Sequence, residues 1–488
     1  MSGSGLELVY AVRLRAITFY FGKLCLLIAV LTLAPLLVAV FSGERTVAWS
    51  YLGVIALQLT IGLLCNRLAE PKRLQINEAL LLACLVFLWT PLIMTMPLWE
   101  AGIPWLDAFF ETVSAATTTG LSTLATVEDK PKVFLFARAW MQWYGGLGVV
   151  VLSLALVMRP GSSALSLAET APPDHDLVGG TKAHARRVLI VYGCLTAAGV
   201  LCWVVLGGAV WEGILYVLAA VSTGGFAPSD GSLADLPAHQ FSGLTALLCL
   251  SGAVPLALYH AAWRRGWRRF IADIELRALL LAAGLATVLL GSCLVFNGGM
   301  DWRQASYHAP LMAISAQTTA GFSSLAPADL DPASQLVLIG AMAVGGDVGS
   351  TAGGFKLIRL LILFTLLGRT LKKVSAPASA VIGFRIGDRT PGRDETLDAL
   401  LLIGLFGTAV LLSWLPFLCY GFEPLPALFE VVSALGTVGL SSGLSGPELP
   451  GPLKLVLCVD MLLGRLELVA WLLIFYPRTW FGQRRSFP

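Results

Sequence analysis

The chain has 488 residues, of which 57% are hydrophobic and only 13% charged, with a formal net charge of +3. Soluble domains carry about 25% charged residues, so this is an integral membrane protein, and so small a net charge gives no support to a nucleic-acid partner. Its nine Cys form no C-x-x-C pair and its five His are scattered, which argues against a disulfide framework and against a bound metal.

Apolar stretches of roughly 20 residues, each able to cross a hydrocarbon core of about 30 Å, recur along the chain. They predict ten spans, at residues 20–42, 47–66, 76–97, 133–157, 187–208, 241–262, 276–297, 334–368 with an interruption, 396–420 and 453–476. The first run is of span length and lacks a small-residue cleavage pattern, so it is expected to remain as a helix. Positive charge falls on alternate sides. Arg13, Arg15, Arg67, Lys72, Arg73, Arg159, Lys182, Arg186 and Arg187 share one side with the clusters Arg264–Arg269 and Arg369–Lys373. Arg385, Arg389, Arg393, Arg478, Arg484 and Arg485 join them. The positive-inside rule makes that side cytoplasmic and puts both termini there. The opposite loops lean acidic, with Asp107, Glu111, Asp230, Asp235, Asp331 and Glu448 among them, an arrangement expected to concentrate cations near an entrance.

The outer loops carry a repeat. After each of four spans come about 12 mostly apolar residues, then a Gly/Ser/Thr stretch, then the next span. Twelve helical residues cover about 18 Å, half a membrane, which is the length of a re-entrant helix. The four stretches read "SAATTTGLS" (Ser114–Ser122), "AAVSTGGFA" (Ala219–Ala227), "SAQTTAGFS" (Ser315–Ser323) and "SALGTVGLS" (Ser433–Ser441). Aligned on Gly120, Gly225, Gly321 and Gly439, every copy has Thr two residues earlier and Leu or Phe one residue later. One T-x-G match carries no information, but four in the same register on one side of the membrane signal an architecture built by duplication.

Non-helical backbone survives at membrane depth only where it is buried in protein or lines a water-filled cavity. Glycine lets such a segment turn its carbonyls toward a common axis, and rings of carbonyl oxygens can replace the hydration shell of an alkali cation. Each half-helix also aims its C-terminal dipole end, roughly half a negative charge, at that axis. The candidate ion-binding residues are Thr118, Thr119 and Gly120; Thr223, Gly224 and Gly225; Thr319, Ala320 and Gly321; and Thr437, Val438 and Gly439.

A second glycine-rich stretch, "GGDVGSTAGG" (Gly345–Gly354), interrupts the eighth span below the third repeat. Each Gly in a helix costs nearly 1 kcal/mol relative to Ala, so the helix should unwind there. A flexible polar loop at that depth can occlude a pore or move aside. Its candidate gate residues are Gly345, Gly346, Asp347, Gly349, Ser350, Thr351, Gly353 and Gly354, joined by Arg465 in the last span. A charge there is expensive and is a functional candidate by default. Residues two apart face different sides of a helix, so Glu467 is a poor partner for Arg465, which is expected to reach the loop's carbonyls or Asp347. Lys356 and Arg359 would anchor the inner end of the broken helix.

Fourfold "TVGYG"-like stretches, of which "TVGL" (Thr437–Leu440) is the nearest copy, resemble the filters of the Trk/Ktr/HKT superfamily of potassium transporters. The two extra N-terminal spans, "QWYGGLGVVVL" (Gln142–Leu152) and "GGDVGSTAGGFKLIR" (Gly345–Arg359) are similar to its TrkH-like branch; Asp347 departs from the small or uncharged residue expected there. The resemblance implies an all-α integral membrane protein with four span–pore helix–span repeats around one pore, plus two N-terminal spans. The segments would be 1–70 for the two extra spans and 71–160, 161–270, 271–375 and 376–488 for the repeats. It further implies potassium uptake across a bacterial inner membrane, a homodimer, and a cytoplasmic TrkA-type nucleotide-binding ring that gates the pore. No cofactor is expected on this chain, K⁺ being the cargo. In such families Ser at the first filter glycine accompanies sodium passage, and all four positions here are Gly. Sodium-coupled or sodium-conducting transport and an alternating-access carrier are the alternatives, the second disfavoured by repeats that all run in one orientation. An enzyme is not expected, since no inner loop exceeds about 30 residues and none holds a nucleotide fingerprint or a nucleophile–base set.

Overall fold

The computed structural model describes residues 11–69, 71, 74–157, 177–377, 383–387, 390–466 and 468–481, with backbone alone at 151–157, 177–184, 264, 265 and 269. Lys72, Arg73, Arg159, Arg389, Glu467, Arg484 and Arg485 lie outside the described residues, as do the side chains of Lys182, Arg264, Arg265 and Arg269.

Two N-terminal helices, α1 (Leu14–Phe41) and α2 (Arg45–Cys65), form an antiparallel pair. Four units follow. The first is α3 (Ile76–Glu100), half-helix α4 (Trp105–Ala116) and α5 (Lys132–Val157). The second is α6 (Leu177–Val205), half-helix α7 (Val210–Val221), α8 (His239–Ala253) and α9 (Leu256–Arg265), with the short α10 (Trp267–Ala272) after it. The third is α11 (Ile274–Phe296), half-helix α12 (Trp302–Gln317), α13 (Pro332–Val344) and α14 (Leu357–Ser375). The fourth is α15 (Arg393–Cys419), half-helix α16 (Pro424–Leu435), α17 (Gly451–Arg465) and α18 (Leu468–Phe475), closed by the one-turn α19 (Pro477–Trp480). Helix α10 runs across residues 270 and 271, where the sequence reading divides the second and third repeats.

Among the described residues, six helices are long and apolar enough to cross a membrane, and the α8–α9 pair makes a seventh if its 88° bend counts as one span. Each of the ten predicted spans falls on a helix or on a helix pair, and the departure lies in how many are broken. The sequence predicts one interruption, in the eighth span, and the described residues show three, in the second span of repeats two, three and four. Residues 241–262 are not one helix: Val254 is extended (φ −83°, ψ 142°) because the ring of Pro255 excludes the α conformation from the residue before it. The last span stops at Arg465 and restarts at Leu468. The third half-helix is also longer than predicted, 16 residues against 12 in each of the others.

The half-helices are buried wherever their middle residues point. Val113, Val217, Ala313 and Val431 each have no solvent exposure, and the walls around them are apolar side chains of the flanking spans. Some of the charges inside this framework are paired. Arg13 clamps Glu78 of α3 through Nε (2.8 Å) and Nη2 (2.8 Å), a bidentate geometry that fixes the chain ahead of α1 against the first repeat.

Candidate ion pathway

Each half-helix ends in the same way. Thr118, Thr223, Thr319 and Thr437 have φ of 54°, 51°, 55° and 49°, the left-handed region. A β-branched residue there is an outlier that costs about 1–2 kcal/mol, so four in register need compensation. Part of it is a helix-terminating pair of backbone hydrogen bonds repeated four times. In the first copy Thr118 N–H donates to the Ala115 carbonyl (3.1 Å) and Thr119 N–H to that of Ser114 (2.9 Å); in the fourth, Thr437 and Val438 donate to Ala434 (3.0 Å) and Ser433 (2.8 Å). The chain then extends for one residue and turns again at Gly120, Gly225, Gly321 and Gly439, with φ of 92°, 77°, 77° and 97°. Each glycine keeps partial exposure, while the three residues before it are buried.

The glycines also close a circle. A Cβ built on Gly120 would overlap the carbonyl oxygen of Gly224, one on Gly225 that of Ala320, one on Gly321 that of Val438, and one on Gly439 that of Thr119. Each aligned glycine therefore abuts the carbonyl of the next segment, and the fourth abuts the first. Eight of the twelve candidate ion-binding residues form this ring, and Thr118, Thr223, Thr319 and Thr437 lead into it.

Side chains behind the ring hold it, and most were not legible as site residues. The residue nine positions before each glycine faces the outgoing limb of its own segment. Glu111 accepts from the Ser122 hydroxyl (2.6 Å) and Thr123 N–H (3.1 Å). Glu430 accepts from the Ser441 hydroxyl (2.9 Å), Ser442 N–H (2.9 Å), the Ser442 hydroxyl (2.9 Å) and Ser445 N–H (3.1 Å). At the same position Met312 Sδ meets Ser324 N–H at 3.3 Å, and the Tyr216 hydroxyl donates to the Ser232 carbonyl at 2.9 Å. Ser114 and Ser433 Oγ accept from Gly120 and Gly439 N–H at 3.0 and 3.1 Å. Gln142, from the motif that begins at that residue, donates to the Gly224 carbonyl and accepts from Phe226 N–H at 3.2 Å. A carboxylate with four donors and no proton to offer is hard to replace. Glu430→Gln turns an amide NH₂ toward donors and is expected to cost about 1.5–3 kcal/mol, the scale of a charge-assisted hydrogen bond. Melting curves of the purified chain check this, with Met312→Leu shifting the midpoint less.

The predicted acidic entrance is revised by the same contacts. Glu111 Oε2 lies 3.0 Å from Arg138 Nε, and Asp107 accepts from Lys454 Nζ at 2.6 Å. Asp230 accepts from the Thr126 hydroxyl (2.6 Å) and Val127 N–H (2.7 Å), and Asp331 caps α13 through Ala333 and Ser334 N–H (2.9 and 3.2 Å). These four carboxylates tie elements together; Asp235 and Glu448 stay exposed.

Beside the ring lies the loop between α13 and α14, in contact with the candidate filter, the break in repeat two and Arg465. It touches the candidate filter, with Gly353 N–H donating to Thr319 Oγ1 (2.6 Å), Gly354 N–H to the Gly436 carbonyl (3.1 Å) and Thr223 Oγ1 to Thr351 Oγ1 (3.2 Å). It meets the break in repeat two, where Thr351 N–H donates to Gly252 (3.1 Å), Asp347 N–H to Ala253 (3.3 Å) and Leu256 N–H to Gly349 (3.2 Å). Arg465 Nη1 reaches the Thr351 carbonyl at 2.8 Å, and Nη2 lies 3.5 Å from that of Gly145. Arg465 thus meets a loop carbonyl, as expected, and not Asp347. Asp347 has no exposure, and among the described residues neither of its carboxylate oxygens has a hydrogen-bond partner. Lys356 Nζ donates to the Ala352 carbonyl and Arg359 Nη1 to that of Phe355 (2.9 Å), fastening the start of α14.

The second spans meet the ends of their half-helices at corresponding points. A Cβ on Gly145, Gly252 or Gly464 would overlap the last carbonyl of α4, α7 or α16, and in repeat three Gln317, the last residue of α12, donates to Gly345 (2.6 Å). Each second span therefore approaches the end of its half-helix through a glycine.

A family model described as a cation transport protein, TrkH, matches residues 53–480. The chain belongs to the TrkH family. Its relatives include the Trk system potassium uptake protein TrkH of Halomonas elongata, 29% identical with 96% of this chain and 99% of that one covered. An uncharacterized cation transporter of Methanocaldococcus jannaschii is 25% identical, with 95% of each chain covered. Among solved structures, the potassium transporter TrkH from Vibrio parahaemolyticus superposes with a TM-score of 0.85 at 26% identity, over 96% of this chain and all of that one. Family membership makes the chain a multi-pass membrane transporter of the four-repeat architecture and not an enzyme.

Proposed function

We propose that the chain takes up potassium through the ring of four T-x-G-[LF] segments and that the loop 345–354, latched by Arg465, closes the path beneath it. The closed circle of glycines and neighbouring carbonyls carries this reading, because it stacks carbonyl oxygens from four segments around one axis. The hydroxyls of Thr118 and Thr437 are buried without a protein partner, while those of Thr223 and Thr319 bond the loop. The first two are free to face an ion at the inner end of the filter. Potassium is favoured over sodium because none of the four aligned glycine positions carries a side chain that would push the neighbouring carbonyl off axis. Growth of a potassium-uptake-deficient strain on low potassium, with and without this gene, tests the function; failure to restore growth by a chain present in the membrane would overturn it.

The chain is proposed to sit in the bacterial inner membrane as a homodimer, with both termini and the basic clusters facing the cytoplasm. No segment of it carries a nucleotide-binding fingerprint, so nucleotide control falls to a soluble TrkA-type ring docked on that face at Arg264–Arg269 and Arg369–Lys373. Pull-down from the native membrane should recover such a ring. Fully regulated uptake by the purified chain alone would count against it.

A further inference from the structure

Helix α14 follows the loop directly, and its far end carries a feature the pore does not use. Thr365, Gly368, Arg369 and Lys372 recur at i, i+3, i+4 and i+7 and so share one helix face. Opposite them runs an extended segment whose residues alternate: Phe384 and Ile386 are buried against Ile362 and Ala399, leaving Arg385 exposed between them. The two walls border an open groove of about 320 Å³ lined by Thr365, Gly368, Arg369, Lys372, Gly383 and Arg385. The Arg369 guanidinium lies 5.6 Å from the Phe384 ring centroid, which sets it at the groove wall. Among the described residues, Arg369, Lys372 and Arg385 have no ion-pair partner.

Isolated cations on an inner face follow from the positive-inside rule and need no ligand. Convergence differs: three like charges around one concavity repel one another unless an anion sits between them. Gly368 on the helix wall and Gly383 on the extended wall carry no side chain, which leaves room for a group several atoms across. Two guanidinium forks and an ammonium match the oxygens of a phosphoryl group, with arginine binding bidentately and lysine as a point charge. We propose that this pocket binds a phosphate-bearing anion, either the headgroup of an anionic phospholipid or a soluble polyphosphate. Bound there, the anion ties α14 to the 383–387 segment and through Ala399 to α15. Any effect on flux rests on the gate reading above, whereas binding does not, so the two can fail separately.

The test uses the full chain. One arm compares retention of phosphatidylglycerol with that of phosphatidylcholine by native mass spectrometry; the other titrates sodium pyrophosphate into the detergent-solubilised protein. The variant R369Q/R385Q should weaken binding of the effective probe by about tenfold or more, the scale of losing charge-assisted contacts. R393Q, which removes an exposed cation outside the pocket, should stay within about twofold of the parent, since a lone surface charge contributes little. Selective loss of the lipid assigns the site to a headgroup, and selective loss of pyrophosphate assigns it to a soluble ligand. Parent protein that binds neither probe, a double variant that keeps parent affinity for both, or equal loss in R393Q overturns the proposal. Should the double variant not fold, Lys372→Gln carries the same comparison with about a threefold loss.

Discussion

Arg465→Ala is expected to raise basal ⁸⁶Rb⁺ uptake into proteoliposomes roughly ten- to hundred-fold, because the closed loop loses a charge-assisted contact of about 1.5–3 kcal/mol. Arg465 is 4% exposed and holds the Thr351 carbonyl at 2.8 Å, a carbonyl placed where water is scarce. Its second arm points to Gly145 of repeat one, so it ties the loop of repeat three to a different wall of the pore. Selectivity should be unchanged, since the guanidinium hydrogen-bonds none of the twelve candidate ion-binding residues. Deleting Gly345–Gly354 should open the path too, but the contacts of Gly353 and Gly354 with Thr319 and Gly436 make that variant less clean. Removing those donors leaves the inner end of the ring unsupported, so the deletion is expected to erode selectivity as well. If Arg465→Ala folds and remains as closed as the parent, the latch is not what keeps the path shut.

Gly439→Ser and Gly120→Ser are each expected to reduce K⁺ over Na⁺ discrimination by roughly 1–3 kcal/mol, the penalty scale for strained backbone at a functional site. Two costs combine. The new side chain sits at φ of 97° or 92°, and its Cβ overlaps the carbonyl of Thr119 or Gly224. That carbonyl must swing away, and the opening it leaves no longer matches one cation size. Gly443→Ser separates the costs, because Gly443 also has a left-handed φ (88°) but its Cβ would meet only the Ala328 methyl, at 3.3 Å. It should lose stability and keep selectivity. Reversal potentials under bi-ionic conditions decide the matter: unchanged ratios in both ring variants would remove the ring from the selectivity mechanism.

Much of this arrangement could be read from residue order. Four T-x-G-[LF] copies after half-span apolar segments led to the half-helices and the ring, since a fixed register on one side of a membrane has few other uses. The loop at Gly345 was legible because its glycines cluster. The break at Pro255 escaped because one proline after an apolar run also fits a kinked continuous span, and only packing against Gly349 and Thr351 decides for an 88° turn. The braces escaped for a different reason. Glu111, Tyr216, Met312 and Glu430 share a position but no chemistry, so no pattern of residue types links them until the folded limb shows what each one touches. The acidic entrance was overstated because charge counted along a chain does not reveal that Asp107 and Glu111 each already hold a cation.

The circle of glycines has a bearing on how such a chain can change over generations. Duplication left four copies free to drift apart, and they have: one segment reads Thr-Thr-Gly, another Thr-Val-Gly. Yet each copy's glycine is defined by the backbone of its neighbour, so no copy can gain a side chain there without its neighbour's carbonyl giving way. Substitutions at these four positions are therefore expected to be epistatic around the circle, with adjacent pairs coupled more strongly than opposite ones. A lineage acquiring a new ion preference through one of them would carry the mark of compensating change in the next segment along, and the order of those compensations would follow the chain from first repeat to fourth and back to the first.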